Sequence, residues 1–281
     1  FMNSNRSILI LLVLYRQELE ESLSYKSLCE NLKYLAHPYK VLVYNNSPTI
    51  KIRESVSYQV FNASQNNMLV GAYNYAFNEA RKNKYNWLLL LDQDSCLDKQ
   101  YFVELSSKLI VVSENTAAIL PKVLCDEKHI SPVVVSHFAG PFGVQKVYDS
   151  ERMLSSSEYL TGINSGAILR TSAIAQIGGF SYDFPLDFLD HWTYLQLANL
   201  GLKIELLDIN FVHNLTISHS YNPMGVERYI KYLKARALFA KKAGVTVLLT
   251  FKGRTLGQCV KQLFKPSERK FFIHTFRALF Y

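Results

Sequence analysis

The sequence predicts an α/β fold: a mostly parallel sheet flanked by helices, followed by a basic helical extension at the C-terminus. Three observations carry this. Short apolar runs alternate with helix-period segments over the first hundred residues, the pattern of successive βαβ units. The runs are apolar throughout rather than alternating, as strands buried on both faces must be. The basic excess sits at one end: residues 1–230 hold 19 Lys/Arg and 22 Asp/Glu, whereas residues 231–281 hold 12 Lys/Arg and one acid, Glu268.

The elements follow in order. Ile8–Leu14 (ILILLVL) reads as a first buried strand. It is far too short to span a bilayer, which needs roughly 20 residues, and no small-residue cleavage site follows it. Leu19, Leu23, Leu28, Leu32 and Leu35 give Glu18–Leu35 a helical spacing. Val41–Tyr44 is a second strand, closed by the turn-rich Asn45-Asn46-Ser47-Pro48. Tyr58–Phe61 reads as a third. Asn66–Lys84 is helical, with Leu69, Ala72, Tyr73, Ala76, Phe77 and Ala80 on one face and an asparagine near its start. Trp87–Leu91 is the fourth strand, and Asp92-Gln93-Asp94-Ser95 follows it directly.

Beyond this point the pattern weakens. Pro121, Pro132 and Pro141 interrupt a β-rich stretch from Ala117 to Tyr159. In residues 159–180 a loop, a short strand (Ala167–Leu169), a short helix and a Gly178-Gly179 turn succeed one another. Asp187 and Asp190 then precede a helix carrying Trp192, Leu195, Leu197 and Leu200. Residues 202–213 form a strand segment ending at His213, and from Arg228 the chain is helical and basic.

Composition excludes several classes. There is no low-complexity tract and no internal repeat. Cys29, Cys96, Cys125 and Cys259 are scattered without CxxC spacing. They fit neither a zinc site nor a disulfide framework and suit a reducing cytoplasm. The Asn-x-Ser/Thr triplets at Asn45, Asn62 and Asn214 carry little weight in a chain without a secretory signal. Neither GxGxxG nor GxxxxGK[ST] occurs. A bound nucleotide diphosphate would therefore need a metal and basic side chains to neutralise it.

Asp92 and Asp94 put two anions at the end of a buried strand, where open α/β sheets place their ligands. Two adjacent negative charges call for a divalent cation or a basic partner. Asn45–Ser47 also follows a strand, so the two segments are expected on one edge of the sheet.

The ordered set of strands, the DxD after the fourth, "NSGAILR", an Asp-rich helix start and a later His resembles a bacterial family 2 glycosyltransferase of the GT-A fold, with its Rossmann-like sheet. "LLLLDQDS" is especially similar to rhamnosyltransferases that build surface polysaccharides such as O-antigen or capsule. The resemblance covers about residues 7–240. It implies a GT-A domain over 1–225, with a donor-binding half (1–115) and an acceptor-binding half (116–225), and a basic extension over 226–281.

By that resemblance Asp92 bonds the donor's ribose, and Asp94 ligates Mg²⁺ or Mn²⁺ on the donor diphosphate, hard oxygen donors that suit these ions. His213 is the further metal contact, with His219 as the second choice. The general base of an inverting enzyme is Asp190, with Asp187, one turn earlier, as runner-up. Tyr15, Asn45, Ser47 and Asn74 match donor-binding positions, and Arg228 and Arg236 echo an Arg/Tyr-rich segment that can reach the diphosphate. Two departures stand out. Tyr44 replaces an Asp where the nucleobase is read, and Trp192 stands where an acid is usual, which points to stacking on the acceptor sugar.

The expected function is inverting transfer of a sugar to a hydroxyl of a lipid-pyrophosphate-linked or oligosaccharide acceptor. The resemblance favours L-rhamnose from dTDP-rhamnose; galactofuranose, or a hexose from a UDP-sugar, stays open. Mixed Lys/Arg and Phe in the tail points to an anionic membrane surface and a peripheral place on the inner face of a bacterial plasma membrane. A homodimer through the same tail is the rival use, and no nucleic acid is expected. Haloacid-dehalogenase-like phosphatases also carry a DxD after an apolar strand, but normally on the first strand, whereas three strand signals precede Asp92. A non-catalytic nucleotide-sugar-binding protein is the remaining alternative.

Overall fold

Strands β1 (Ile8–Leu14), β2 (Tyr39–Asn45), β3 (Gln59–Asn62) and β4 (Trp87–Asp92) lie side by side in parallel, in the spatial order β4-β1-β2-β3. The computed structural model describes residues 6–125, 128–148, 153–212 and 225–281. The same sheet continues beyond β4 through β10 (Ile168–Arg170), β5 (Thr116–Cys125) and β11 (Lys203–Val212). β10 runs antiparallel to both β4 and β5, and β11 is parallel to β5. β6 (Lys128–Ser131) adds to β5, giving eight strands. A smaller antiparallel sheet holds β7 (Val133–Ser136), β8 (Lys146–Val147) and β9 (Glu158–Thr161).

The apolar runs are explained by a core on each face. Leu9, Leu11 and Val13 of β1, with Leu88 and Leu90 of β4, point into one core; Ile8, Ile10, Leu12 and Leu14, with Trp87, Leu89 and Leu91, point into the other. Successive strand side chains alternate between faces, so burial on both demands apolar residues at every position. The second core is covered by α1 (Leu23–Asn31) and α3 (Lys99–Val111). The first is covered by α2 (Met68–Lys82), α4 (Thr171–Gln176), α5 (Leu189–Asn199) and the C-terminal helices α6 (Val226–Ala243), α7 (Val245–Phe264) and α8 (Phe272–Ala278). Tyr229, Leu233, Phe239, Phe251 and Phe271 of the extension thus belong to the same core as the sheet.

Three elements differ from the sequence reading. The single helix expected over Glu18–Leu35 is broken into a 3₁₀ turn (Leu19–Glu21), α1 and a second 3₁₀ turn (Leu32–Tyr34). Ser22 interrupts it, because its hydroxyl both caps α1 at Tyr25 N–H (3.2 Å) and donates to the Gln93 carbonyl (2.8 Å). Helix α3 was not anticipated, although Asp98 caps it by accepting from Tyr101 N–H at 2.8 Å and Tyr101, Phe102, Leu105 and Leu109 form its buried face. Asp190 lies within the first turn of α5 rather than before it.

Candidate active site

The parallel register brings the C-terminal ends of β1, β2 and β4 together, with Leu14 opposite Asn45 and Val13 opposite Asp92. Serine hydroxyls knit this edge. Ser24 donates to the carbonyls of Asp92 and Ser95 (2.8 Å for the latter) and accepts from Ser95 N–H at 3.0 Å. Ser165 accepts from Asp92 N–H at 2.8 Å and shares a 2.6 Å hydrogen bond with Ser95. Gln93 Oε1 accepts from Tyr15 N–H at 2.8 Å, and Ser47 Oγ accepts from Arg16 N–H at 2.6 Å. The backbone of the acidic turn is therefore held from α1, from the β1 end and from the loop before β10. Such a network fixes the position of the acidic turn.

The carboxylates are treated differently. Asp92 is half-buried as a residue, but its Oδ1 is out of solvent and accepts no hydrogen bond among the described residues. Burial pushes its carboxyl up to about 7, and the charges of Asp94 and Asp190 add to the shift. The buried hydroxyls of Tyr73 (α2) and Tyr194 (α5) also lack partners among the described residues. Burial raises both well above the usual phenol range. Asp92, Tyr194 and Asp190 reinforce the shift at Tyr73, and Asp190 does so at Tyr194. Three carboxylates and two phenols from β4, α2 and α5 thus meet in one electrostatic neighbourhood. Buried polar groups left unsatisfied cost about 1–3 kcal/mol each and call for an explanation.

The loop leading into α5 separates the two aspartates read from the sequence. Phe188 adopts a left-handed backbone conformation (φ 64°), unusual for a residue with a bulky side chain, and is held there by Phe142, Tyr232 and Phe239 at ring distances of 5.8, 5.9 and 5.4 Å. On its N-terminal side Asp187 forms a two-pronged ion pair with Arg228, Nη2 to Oδ1 at 2.6 Å. On its C-terminal side Asp190 accepts from His191 N–H at 2.7 Å, and its charge adds to the upward shift at Asp92.

The other sequence candidates divide by their contacts. Tyr15 is exposed at the sheet edge, with the Arg16 guanidinium 4.9 Å over its ring. Asn45 is fully buried and spends its amide on the Ile50 carbonyl (2.7 Å), Asn62 (2.8 Å) and Ser47 N–H (2.9 Å). Asn74 makes two hydrogen bonds with the Phe180 backbone, at 2.8 and 2.9 Å. It clamps the turn in which Gly179 has a φ of 92°, and a Cβ there would come within 2.8 Å of Asn74 Oδ1. Arg236 is buried, bonds Gln258 at 3.0 Å and lies over the rings of Phe142, Tyr232 and Phe251. Trp192 packs against Phe184 at 5.2 Å and lines a cavity of about 290 Å³ with Asn74, Gly179, Tyr182 and Gln196. His213 and His219 lie outside the described residues.

Tyr44, the departure from the expected Asp, is buried between Phe61 and Tyr75, and its hydroxyl accepts from Asn67 at 2.9 Å. Ser24, Ser165, Tyr73 and Tyr194 escaped the sequence reading. Ser165 lies in "NSGAILR" and Tyr73 among the apolar positions of a helix face, where neither is marked as a site residue by its neighbours in sequence.

Among the described residues no cluster of three or more His, Cys, Asp or Glu is placed to hold a metal ion. The donor set at the edge nonetheless suits a hard divalent cation: Asp92 and Asp94 offer carboxylate oxygens, one of them buried and without a partner.

A mostly parallel sheet with helices on both faces, reversed at β10 and carrying its acids at the end of the fourth strand, is a GT-A-like glycosyltransferase fold. Among solved structures, Staphylococcus aureus TarS 1–349 is similar with a TM-score of 0.54 at 14% identity, over 89% of this chain and 72% of that one. The mannosyltransferase PcManGT from Pyrobaculum calidifontis, in complex with GDP-Man and Mn²⁺, is similar with a TM-score of 0.54 at 11% identity, over 98% of this chain and 87% of that one. TarS 1–349 in complex with UDP-GlcNAc gives 0.53 at 14% identity, over 96% and 79%. No protein-family model and no curated protein sequence matches the chain.

Proposed function

We propose that the chain is an inverting, metal-dependent glycosyltransferase that moves a sugar from a nucleotide-sugar donor to a hydroxyl of a glycan acceptor. The observation that carries this reading is the acidic edge: Asp92 with a buried Oδ1 that accepts no hydrogen bond among the described residues, Asp94 beside it, and Asp190 close enough for its charge to raise the Asp92 carboxyl. Neighbours of the same fold that hold GDP-Man with Mn²⁺ or UDP-GlcNAc support it.

In this reading Asp92 holds the donor's ribose. Asp94, with His213, or His219 in its place, holds Mg²⁺ or Mn²⁺. When bound, such an ion would screen the diphosphate and stabilise charge developing on the leaving nucleoside diphosphate. Asp190 takes the acceptor hydroxyl's proton as its oxygen attacks the anomeric carbon. The bond from that carbon to the diphosphate oxygen breaks on the opposite side, which inverts the centre in one displacement. Asp187 is the weaker candidate for base, because Arg228 already occupies its carboxylate.

Tyr15 offers an exposed ring for the nucleobase, and Ser47 lies beside it on the same edge. Asn45 and Asn74 act by holding the loops that frame the donor. Arg228 reaches the diphosphate by exchanging its Asp187 partner, and Arg236 acts through the packing of the extension. Trp192 stacks on an acceptor sugar, as aromatic faces do. Residues 1–115 serve the donor and 116–225 the acceptor, while 226–281 buttress both. L-Rhamnose from dTDP-rhamnose is the preferred donor. A lipid-pyrophosphate-linked acceptor in bacterial surface polysaccharide synthesis places the enzyme on the inner face of the plasma membrane. No helix among the described residues is long and apolar enough to cross a membrane, so that placement would be peripheral.

The test is a thermal-shift panel of dTDP-rhamnose, UDP-galactofuranose, UDP-hexoses and GDP-mannose, with and without Mn²⁺. A donor at about a hundred times its Kd stabilises the fold by about 2.7 kcal/mol. The expected result is one donor that stabilises only with metal, an effect lost in Asp94→Ala. Stabilisation by no donor, or equal stabilisation of Asp94→Ala, would overturn the reading.

A further inference from the structure

Helix α7 carries two apolar stripes, and the protein covers one of them. Val247, Phe251, Thr255, Cys259 and Gln262 face inward and are buried. Val245, Leu249, Leu256, Val260 and Leu263 recur at helical spacing on a different face and are exposed, Val245 by 73% and Leu249 by 65%. Phe264 ends the helix with 81% of its surface in solvent. At 1.5 Å per residue the stripe runs for about 28 Å. Ile273, Phe276 and Phe280, in and just after α8, add a second exposed set at i, i+3 and i+7. Isolated exposed apolar residues are ordinary, but a contiguous stripe of this length marks an interaction surface.

Charge identifies what covers it. Residues 245–281 contain seven Lys/Arg and one acid, Glu268, which is already paired with Lys265 at 2.5 Å. Lys252 lies within the helical span of the stripe and is exposed. Beside the helix, a cleft of about 510 Å³ is lined by Arg254, Lys261 and Glu268 together with Gly253 and Gly257, at which a Cβ would meet nothing within 4 Å; Arg254 Nε also donates to the Phe142 carbonyl at 3.0 Å. A symmetric dimer through this face would set cation against cation, the arrangement that interfaces avoid. A bilayer with anionic headgroups instead takes the apolar stripe into its acyl boundary and pairs the flanking cations with phosphates.

We propose that the exposed face of α7 is a docking surface for an anionic lipid bilayer. This deepens the membrane placement proposed above by naming the surface. Its test contains no nucleotide sugar, so failure of the donor reading would leave the result unchanged.

The experiment is co-sedimentation of the 281-residue chain with vesicles of phosphatidylcholine alone and of phosphatidylcholine mixed with phosphatidylglycerol. The chain should sediment with the mixed vesicles only, and less as salt rises. Leu249→Glu with Leu256→Glu should weaken binding more than about tenfold, since each removes a large apolar side chain and adds a repelled charge. Lys252→Gln and Lys261→Gln, which leave the stripe intact, should each weaken it about fivefold. Circular dichroism and melting of each variant establish that it is folded. Sedimentation of the unaltered chain with neither vesicle, or equal sedimentation of the Leu249→Glu/Leu256→Glu chain, overturns the proposal. So does a dimer in analytical ultracentrifugation that the leucine substitutions dissociate while vesicles remain unbound.

Discussion

At the sheet edge, serine hydroxyls hold the backbone of the acidic turn while one carboxylate oxygen and two phenols are buried without hydrogen bonds among the described residues; on α7 the backbone is closed in a helix and the uncovered groups are apolar. Ser24, Ser95, Ser165 and Gln93 lock the turn around Asp92, yet Asp92 Oδ1, Tyr73 Oη and Tyr194 Oη are buried without hydrogen bonds among the described residues. On α7, Leu249 and Leu256 stand in solvent beside lysines. Each region keeps a rigid frame and leaves one kind of group unmet. Buried polar orphans point to a small ionic ligand, because only a charged or hydrogen-bonding group relieves them. Exposed apolar ones point to an extended surface, because only area relieves them.

The comparison breaks most visibly at Asp190. If it is the base, Asp190→Asn should lower kcat about 10²–10⁴-fold while leaving KM for the donor nearly unchanged. A fully active variant would return the acidic group to a merely structural role. Next in size, Ser24→Ala removes three hydrogen bonds from the turn at once. It should cost about 2–3 kcal/mol in denaturant unfolding and weaken donor binding in parallel. Asn74→Ala frees the Phe180 backbone and should cost about 2 kcal/mol, with its effect on KM for donor larger than that for acceptor.

A further effect is on pH. Asp92 has a folded value of about 7 against an ordinary 3.8. A raised acid contributes stability that is fully present below the ordinary value and is lost as pH rises through the folded one. Chelator-treated protein should therefore lose stability between about pH 4 and pH 7, and Asp92→Asn should flatten that slope. Arg228→Ala sharpens the comparison from outside the acidic group. It breaks a partly exposed ion pair, so it should cost about 1 kcal/mol and leave the pH slope in place.

Particular elements show how far the sequence could be read. The strands β1, β2, β3 and β4 and helix α2 were legible because burial on both faces, or on one helix face, leaves a periodic trace. Asp92 and Asp94 were legible because they interrupt such a trace. Helix α3 was not legible although Tyr101, Phe102, Leu105 and Leu109 recur at helical spacing, because the exposed Val103, Ile110 and Val111 blur its apolar face. β10 turned the sheet antiparallel, which three residues of ordinary composition do not announce.

By itself the sequence determined the layered α/β class, the DxD at a strand end, the aspartates near the start of α5 and the cationic C-terminus, since each is a local pattern of apolar period or charge. Only the tertiary structure decided that Asp187 is taken by Arg228 while Asp190 comes within electrostatic reach of Asp92, and that Asn45 and Asn74 hold loops. It alone decided that Tyr73 and Tyr194 join the acids and that α7 leaves a second stripe uncovered. Those outcomes depend on which distant groups the fold brings together, and a side chain's partner is set by the packing of elements far apart in the chain, not by its neighbours along it.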